Sequence, residues 1–271
     1  MNRLIYRKLV NAVAIFAMAL TLVSCLDGGG NNISGSVVGI IRYDVVSNQN
    51  LLDIDESVSF SSPGVFNNNL QDGACLWVVY ELDYDLPENQ SSVVSQTGYW
   101  TVTVSNKVEI NRYYAYPIAD TSSIAKEGET PLMDPAYEML GYVKGVLFIN
   151  HVLEMSEDQR MDWQMTYNGV EPSVTENGEK YYDVYLRTVV TLSGTKSAQN
   201  TAYPCAYEMS GLLKRAAETE KAAGKSTFKL RFNYVSEIKN NEDGTRTVVW
   251  SKSSGYDMNV ETISPTAGGS Y

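Results

Sequence analysis

Along most of this chain apolar and polar side chains alternate with a period of two, the signature of β-strands that bury one face. Within 75–85, Tyr80, Leu82 and Tyr84 take one face and Glu81, Asp83 and Asp85 the other; within 98–110, Trp100, Val102 and Val104 stand against Thr101 and Thr103. The β-branched run 35–46 predicts a further strand. Between these, 48–71 and 86–96 are rich in Asn, Ser, Pro and Asp and read as loops. Beyond a polar, proline-flanked stretch at 119–135, strands resume at 142–155, 160–167, 180–192, 227–238 and 244–252. The last two are joined by the turn Asn240-Asn241-Glu242-Asp243-Gly244. One segment has the helical period instead. Over 207–223, Met209, Leu212, Leu213 and Ala216 form a stripe, Lys214, Arg215, Glu218, Glu220 and Lys221 cover the rest, and Gly224 offers a stop. The pattern predicts a mostly β chain of the barrel or sandwich kind with that helix lying across its second group of strands. The stretch 119–135 reads as a linker and 258–271 as a flexible tail.

The first 24 residues read as an address. Arg3, Arg7 and Lys8 precede the apolar run 13–20, far shorter than the roughly 20 residues that span a bilayer. This is the pattern of a signal peptide. It ends in Leu22-Val23-Ser24-Cys25, which resembles a bacterial lipobox, where the cysteine is acylated and becomes the new N-terminus. Several acyl chains, at about 0.8 kcal/mol per buried methylene, hold a protein to a membrane without a spanning helix. Residues 25–32, with Gly28-Gly29-Gly30-Asn31-Asn32 at their end, are a flexible tether. The expectation is lipid anchoring at the outer membrane through Cys25. A single acid behind the cysteine, Asp27, does not choose between the periplasmic and the cell-surface face.

Composition narrows the chemistry. With 271 residues and 44% hydrophobic side chains the chain can bury a core. Its formal charge of −11 becomes −14 once 1–24 are removed, leaving 32 acids against 18 bases. Such a surface repels phosphate backbones, so no nucleic-acid partner is expected. Any histidine chemistry would have to be built on His151 alone, and its apolar strand setting, 147–153, makes it a sheet-face residue. Two acidic groups, Glu81, Asp83, Asp85 and Asp53, Asp55, Glu56, lack the spaced, glycine-bearing loop of a dedicated calcium site and read as solvated strand faces. No nucleophile elbow, phosphate-binding loop or dinucleotide fingerprint occurs, and no catalytic residue, metal or cofactor is assigned. Cys75 and Cys205 each sit among apolar neighbours, the setting of a buried free thiol; a disulfide between them in an oxidising compartment is the other reading.

A family resemblance rests on the order of several short motifs. Gly35-Ser36-Val37-Val38 opens the folded part, Leu70-Gln71-Asp72-Gly73 leads into Leu76-Trp77-Val78-Val79-Tyr80 and Leu82-Asp83-Tyr84-Asp85, Asp134-Pro135 precedes an apolar strand, and Tyr185-Leu186-Arg187 follows. In this order the chain resembles the NigD-like lipoproteins of Bacteroidetes. It departs from them in having no Asp-Asp-Gly turn in the second strand region and Thr188, not histidine, after Leu186-Arg187. The resemblance implies a small OB-like barrel over 33–118 and, past the linker, a β-sandwich-like domain over 136–257 carrying the helix. It implies a fold and a location more than an activity, and the bacteriocin gene cluster behind the family's name suggests an envelope or immunity-like role.

The 19 tyrosines are the positive feature left. Rigid aromatic rings with one polar end make platforms for sugars or protein partners. Neighbours along a strand face opposite ways, so one member each of Tyr113-Tyr114 and Tyr181-Tyr182 is expected at the surface. These four are the candidate ligand or partner contacts. The sequence thus predicts a membrane-anchored envelope lipoprotein, not an enzyme, acting as a non-catalytic binding or assembly module for an envelope protein or a glycan. The alternatives are a glycan hydrolase using two carboxylates and a structural subunit of a surface assembly.

Overall fold

A computed structural model describes residues 31–133 and 139–264, and the chain divides into two compact units after Ile110. The signal segment, Cys25 with most of its tether, Asp134-Pro135 and the last seven residues lie outside the described residues. Among the described residues no helix is long and apolar enough to cross a membrane.

The first unit is built on β1 (Asn32–Asp44), β2 (Gln49–Asp53), β3 (Ser59–Ser61), β4 (Cys75–Asp83), β5 (Trp100–Thr101) and the first part of β6 (Thr103–Tyr116). Strands β2 and β3 fall where the composition reads as a loop. They hide there because they do not alternate: Leu51, Leu52 and Asp53 are all buried, as are all three residues of β3. Antiparallel β1 pairs with β4 through Ile40 and with β2 from Ile40 onward. Strand β2 then pairs with β3, β3 with β5 in parallel, and β4 with β6. Only Val102 separates β5 from β6, and its N–H donates to the Ser61 carbonyl at 2.9 Å. One stretch of chain therefore borders both ends of the sheet although the ladder is interrupted, the pattern of a partly open OB barrel. Gly39 stands where β1 passes from β4 to β2. A Cβ there would lie 2.6 Å from the Asp53 carbonyl oxygen, so the close approach requires glycine. Inside sit Ile41, Leu52, Phe60, Phe66, Leu76 and Val78, with Tyr84 and Trp100 packed on the cluster from its edge.

In the second unit β7 (Met139–Val143), β8 (Val146–Met155), β9 (Arg160–Tyr167), β10 (Ser173–Glu176), β11 (Glu179–Leu192), β12 (Gln199–Glu208), β13 (Thr227–Asn240), β14 (Arg246–Lys252) and β15 (Tyr256–Asn259) make two groups. One is β7-β8-β12; the other is β14-β13-β11-β9, with β10 on β11 and β15 on β13. The end of β6 pairs in parallel with β12 over Asn111–Tyr114 and with β9 at Ala115 and Tyr116. Leu147, Ile149, Trp163, Met165, Val184, Leu186, Tyr207 and Phe232 from both groups share one core, which makes the unit sandwich-like. The helix, Ser210–Ala222, adds Leu212, Leu213, Ala216 and Ala217 to it. It starts three residues later than its pattern predicts, because Tyr207 is held in β12 opposite Leu147.

Two expected boundaries move. Residues 119–133 are part of the second unit rather than a linker before it: Thr130 N–H donates to the Thr188 carbonyl at 2.9 Å, Leu132 N–H to that of Val235 at 2.8 Å, and Leu132 is buried. Nor is the tail loose from 258. Met258, Val260 and Ile263 are buried, and the Asn259 side chain caps the short helix Val260–Ile263 by accepting from Glu261 and Thr262 N–H at 2.8 and 3.2 Å. This turn is a helix beyond the one that the sequence pattern predicts.

Candidate functional site

The described surface has an open cleft of about 400 Å3 in the first unit, lined by Asn31, Tyr84, Asn89, Gln90, Ser91 and Trp100. Most of it belongs to the loop 84–99 between the fourth strand and the stretch that follows, one of the loops with which OB barrels take ligands. The loop is fixed from below. Asn89, 2% exposed, donates its Nδ2 to the carbonyls of Asp83 (2.7 Å) and Thr101 (2.8 Å), while its Oδ1 accepts from Thr101 N–H at 2.8 Å. One uncharged amide thus ties the loop to both strands that flank it. Gln90 Nε2 adds a bond to the Tyr84 carbonyl at 3.1 Å. The helix Ser91–Thr97 closes on Gly98, whose φ of 77° and N–H bond to the Val94 carbonyl turn the chain back towards Trp100.

Tyr84 and Trp100 meet edge to face, ring centroids 5.3 Å apart and planes at 84°. Each packs on the core and keeps part of its ring exposed. The aromatic pair is therefore anchored, and little side-chain entropy is left to lose when a ligand meets it. None of the six lining side chains is charged at neutral pH.

The four tyrosines singled out by sequence lie in the second unit. Neighbours do take opposite faces: Tyr114 is 65% exposed, while Tyr113 packs against the core beside Tyr207, centroids 5.9 Å apart, and burial raises its phenol. Tyr182 is buried, its hydroxyl on Glu220 at 2.8 Å; Tyr181 is half-buried, donates to Glu179 at 2.5 Å and carries the Arg231 guanidinium 4.2 Å from its ring centre. None of the four lines the cleft of the first unit. Cys75 lies in the first unit and Cys205 in the second, both buried and neither in a disulfide. His151 is a core residue: it stacks on Trp163 at 4.7 Å, its Nε2 is 2.7 Å from the Tyr207 hydroxyl, and burial depresses it to about 3. Of the two acidic groups, the second is not wholly the solvated face expected of it, because Asp53 is buried at the end of β2. Asp53 is buried on Arg42 Nε (3.0 Å) and Ser59 Oγ (2.6 Å), and among the described residues no cluster of acids, histidines or cysteines could hold a metal ion.

Sequence reasoning missed the polar interior of the second unit. Arg187, 1% exposed, donates Nε and Nη2 to Glu129 (2.7 Å each), Nη1 to Asp120 (2.8 Å) and Nη2 to the Ile124 carbonyl (2.8 Å). Burial alone would lower its affinity for a proton, but Glu129 and Asp120 outweigh it. This arginine explains why 119–133 is so polar: the stretch supplies its partners. Arg231 donates to Asp183 (2.7 and 2.9 Å) and Glu176 (2.5 Å). Glu220, on the helix, would be raised by burial, yet Lys180, Tyr182 and Lys225 hold it at about 2. Each of these buried charges is paired with an opposite one, and removing one partner would strand the other. An arginine on an inward-facing strand position is the one sequence signal that could have found them.

Residues 29–108 match the model of a family described as "Lipoprotein OB domain". Among solved structures the chain is similar to an uncharacterized protein from Parabacteroides merdae, at 20% identity over 83% of this chain and 99% of that one, with a TM-score of 0.70. A toxin-related protein from Parabacteroides distasonis is similar at 12% identity over 84% and 95% of the two chains, TM-score 0.50. A NigD-like immunity protein from Bacteroides caccae is also among them, at 12% identity over 83% and 96%, TM-score 0.45. No curated protein matches. The family model agrees with the OB part of the resemblance read from the sequence, and the chain is mostly β with an OB domain followed by a β-sandwich-like unit.

Proposed function

We propose that this chain, whose N-terminal unit is an OB domain of the lipoprotein kind, is an envelope protein held by lipid on Cys25 to the outer membrane, and that it binds rather than transforms its ligand. The observation that carries the reading is the loop cleft of the first unit, where Asn89 fixes the backbone and the core anchors Tyr84 and Trp100. A preorganised surface of this kind favours binding because few rotamers must be ordered on contact. The anchor rests on Leu22-Val23-Ser24-Cys25 and on the lipoprotein family that the first unit matches.

The test uses the full chain and a Cys25→Ala variant in a host that processes bacterial lipoproteins. Incorporation of a labelled fatty acid and recovery in the membrane fraction are expected for the first and lost in the second; equal behaviour contradicts the anchor. Material captured from gently solubilised envelopes is then compared between the full chain and Trp100→Ala. The reading expects a defined molecule, recovered chemically unchanged, to be lost with Trp100. Recovery of cleaved product favours the hydrolase instead, and capture indifferent to Trp100 moves the site elsewhere.

A further inference from the structure

Resting on the binding reading above, we infer that the cleft takes a segment of uncharged carbohydrate. Three properties of the lining select this class. First, the polar groups are amides and a hydroxyl: Asn31 and Ser91 can donate as well as accept, and Gln90, whose Nε2 is turned to the Tyr84 carbonyl, presents its oxygen as an acceptor. Sugar hydroxyls do the same, whereas an anion requires donors or cations and a cation requires carboxylates. Second, Tyr84 and Trp100 are partly exposed, core-anchored aromatic rings that line the cleft, apolar surfaces of the kind against which the C–H face of a pyranose ring packs. Third, the electrostatics of the unit disfavour the anionic ligands that stack on aromatics. Over residues 31–110 there are two bases, Arg42 and Lys107, against ten acids, and Glu81, Asp83, Asp85 and Glu88 stand at or beside the loop. Nucleic acid draws much of its affinity from neutralised phosphates and would meet repulsion here; so would sulfated or uronic glycans. The volume, about 400 Å3, lies within the ~300–1,000 Å3 of small-molecule sites, and the cleft is open. An open cleft admits the middle of a chain and not only its end.

The experiment titrates the full chain by calorimetry with neutral gluco-, manno-, galacto- and xylo-hexasaccharides, with hexagalacturonate and a thymidine decanucleotide as anionic probes. At least one neutral hexasaccharide is expected to bind with a Kd between about 10 μM and 1 mM. The anionic probes are expected not to bind. Trp100→Ala is expected to weaken the neutral ligand at least about tenfold. Because Trp100 also touches the core, Ser91→Trp is the second variant: it fills the cleft from an exposed position and is expected to block binding with thermal stability unchanged. Binding of an anionic probe in preference, binding of none of the neutral set, or neutral binding unaffected by both variants would each overturn the inference. Failure here together with Trp100-dependent capture of an envelope protein leaves the binding reading standing and removes only the carbohydrate; failure of both removes the site.

Discussion

In the first unit the polar group that shapes the site, Asn89, is a neutral amide bonded to backbone on both sides of a surface loop, whereas in the second unit charged networks around Arg187, Arg231 and Glu220 fasten the interior. The difference is one of purpose as much as of chemistry. A neutral fastener fixes the loop without placing a formal charge in the cleft above it, so the side chains that line the cleft beside the aromatic pair carry no charge of their own. Charged fasteners suit the second unit because Arg187 gathers Asp120, Glu129 and the carbonyls of Ser122 and Ile124 into one place, which holds the long segment 119–133 onto the strands.

The sharpest way to break this contrast is Arg187→Ala. It leaves Glu129 buried without its cation, and denaturant unfolding is expected to show the second unit weakened by about 3–5 kcal/mol while the first keeps its own transition. The double variant Arg187→Met with Glu129→Leu is expected to recover much of that loss, because neither charge is then stranded. A single variant within 1 kcal/mol of the parent would show the network to be incidental.

Asn89→Ala is the matching change in the first unit. It strips partners from two carbonyls and one N–H and is expected to cost about 1–3 kcal/mol. Ligand affinity at the cleft should fall with it although Asn89 need not touch ligand, since Tyr84 and Trp100 lose their fixed spacing. Stability lost without any change in affinity would mean that the loop holds its shape by other means.

Mild acid separates the units next. His151, the only histidine, is lowered by burial to about 3 from an ordinary value near 6.5. Between these values the unfolded chain binds a proton that the folded one refuses, so stability is complete above about pH 6.5 and falls on the order of 1 kcal/mol per pH unit below it. Glu220 adds its loss only as pH drops through about 4.5 towards 2. Between pH 6.5 and 4.5 the second unit should therefore soften and the first should not, and His151→Phe should flatten that window in thermal melts. The smallest effect is expected at Tyr114→Ala, within about 0.5 kcal/mol, because the ring is mostly exposed.

Much of the architecture was legible in the sequence. Alternation located β4 and the stretch from Trp100 to Ile110, and the stripe of Met209, Leu212, Leu213 and Ala216 located the helix. What failed to show was structure that does not alternate, such as Leu51-Leu52-Asp53, and structure whose logic lies far away in the chain. The polarity of 119–133 resembles that of a solvated linker until Arg187, 58 residues from Glu129, is seen to need it. The cleft was half-visible. Tyr84 and Trp100 stood out as aromatics on strand faces, but Asn89 in a Pro-Glu-Asn-Gln loop gives no sign that it reaches a backbone 12 residues on.

On the proposed function, ligand is held by the first unit's loop cleft and the second unit is framework. Backbone amide and indole NMR shifts of the labelled chain, followed during addition of a neutral hexasaccharide that binds, test it most directly. The account predicts changes concentrated at the Trp100 indole and the amides of Tyr84, Gln90, Ser91 and Thr101, with the signals of Tyr114 and Tyr181 unmoved. Changes centred on Tyr114, Tyr181 or their neighbours, with Trp100 silent, would contradict it.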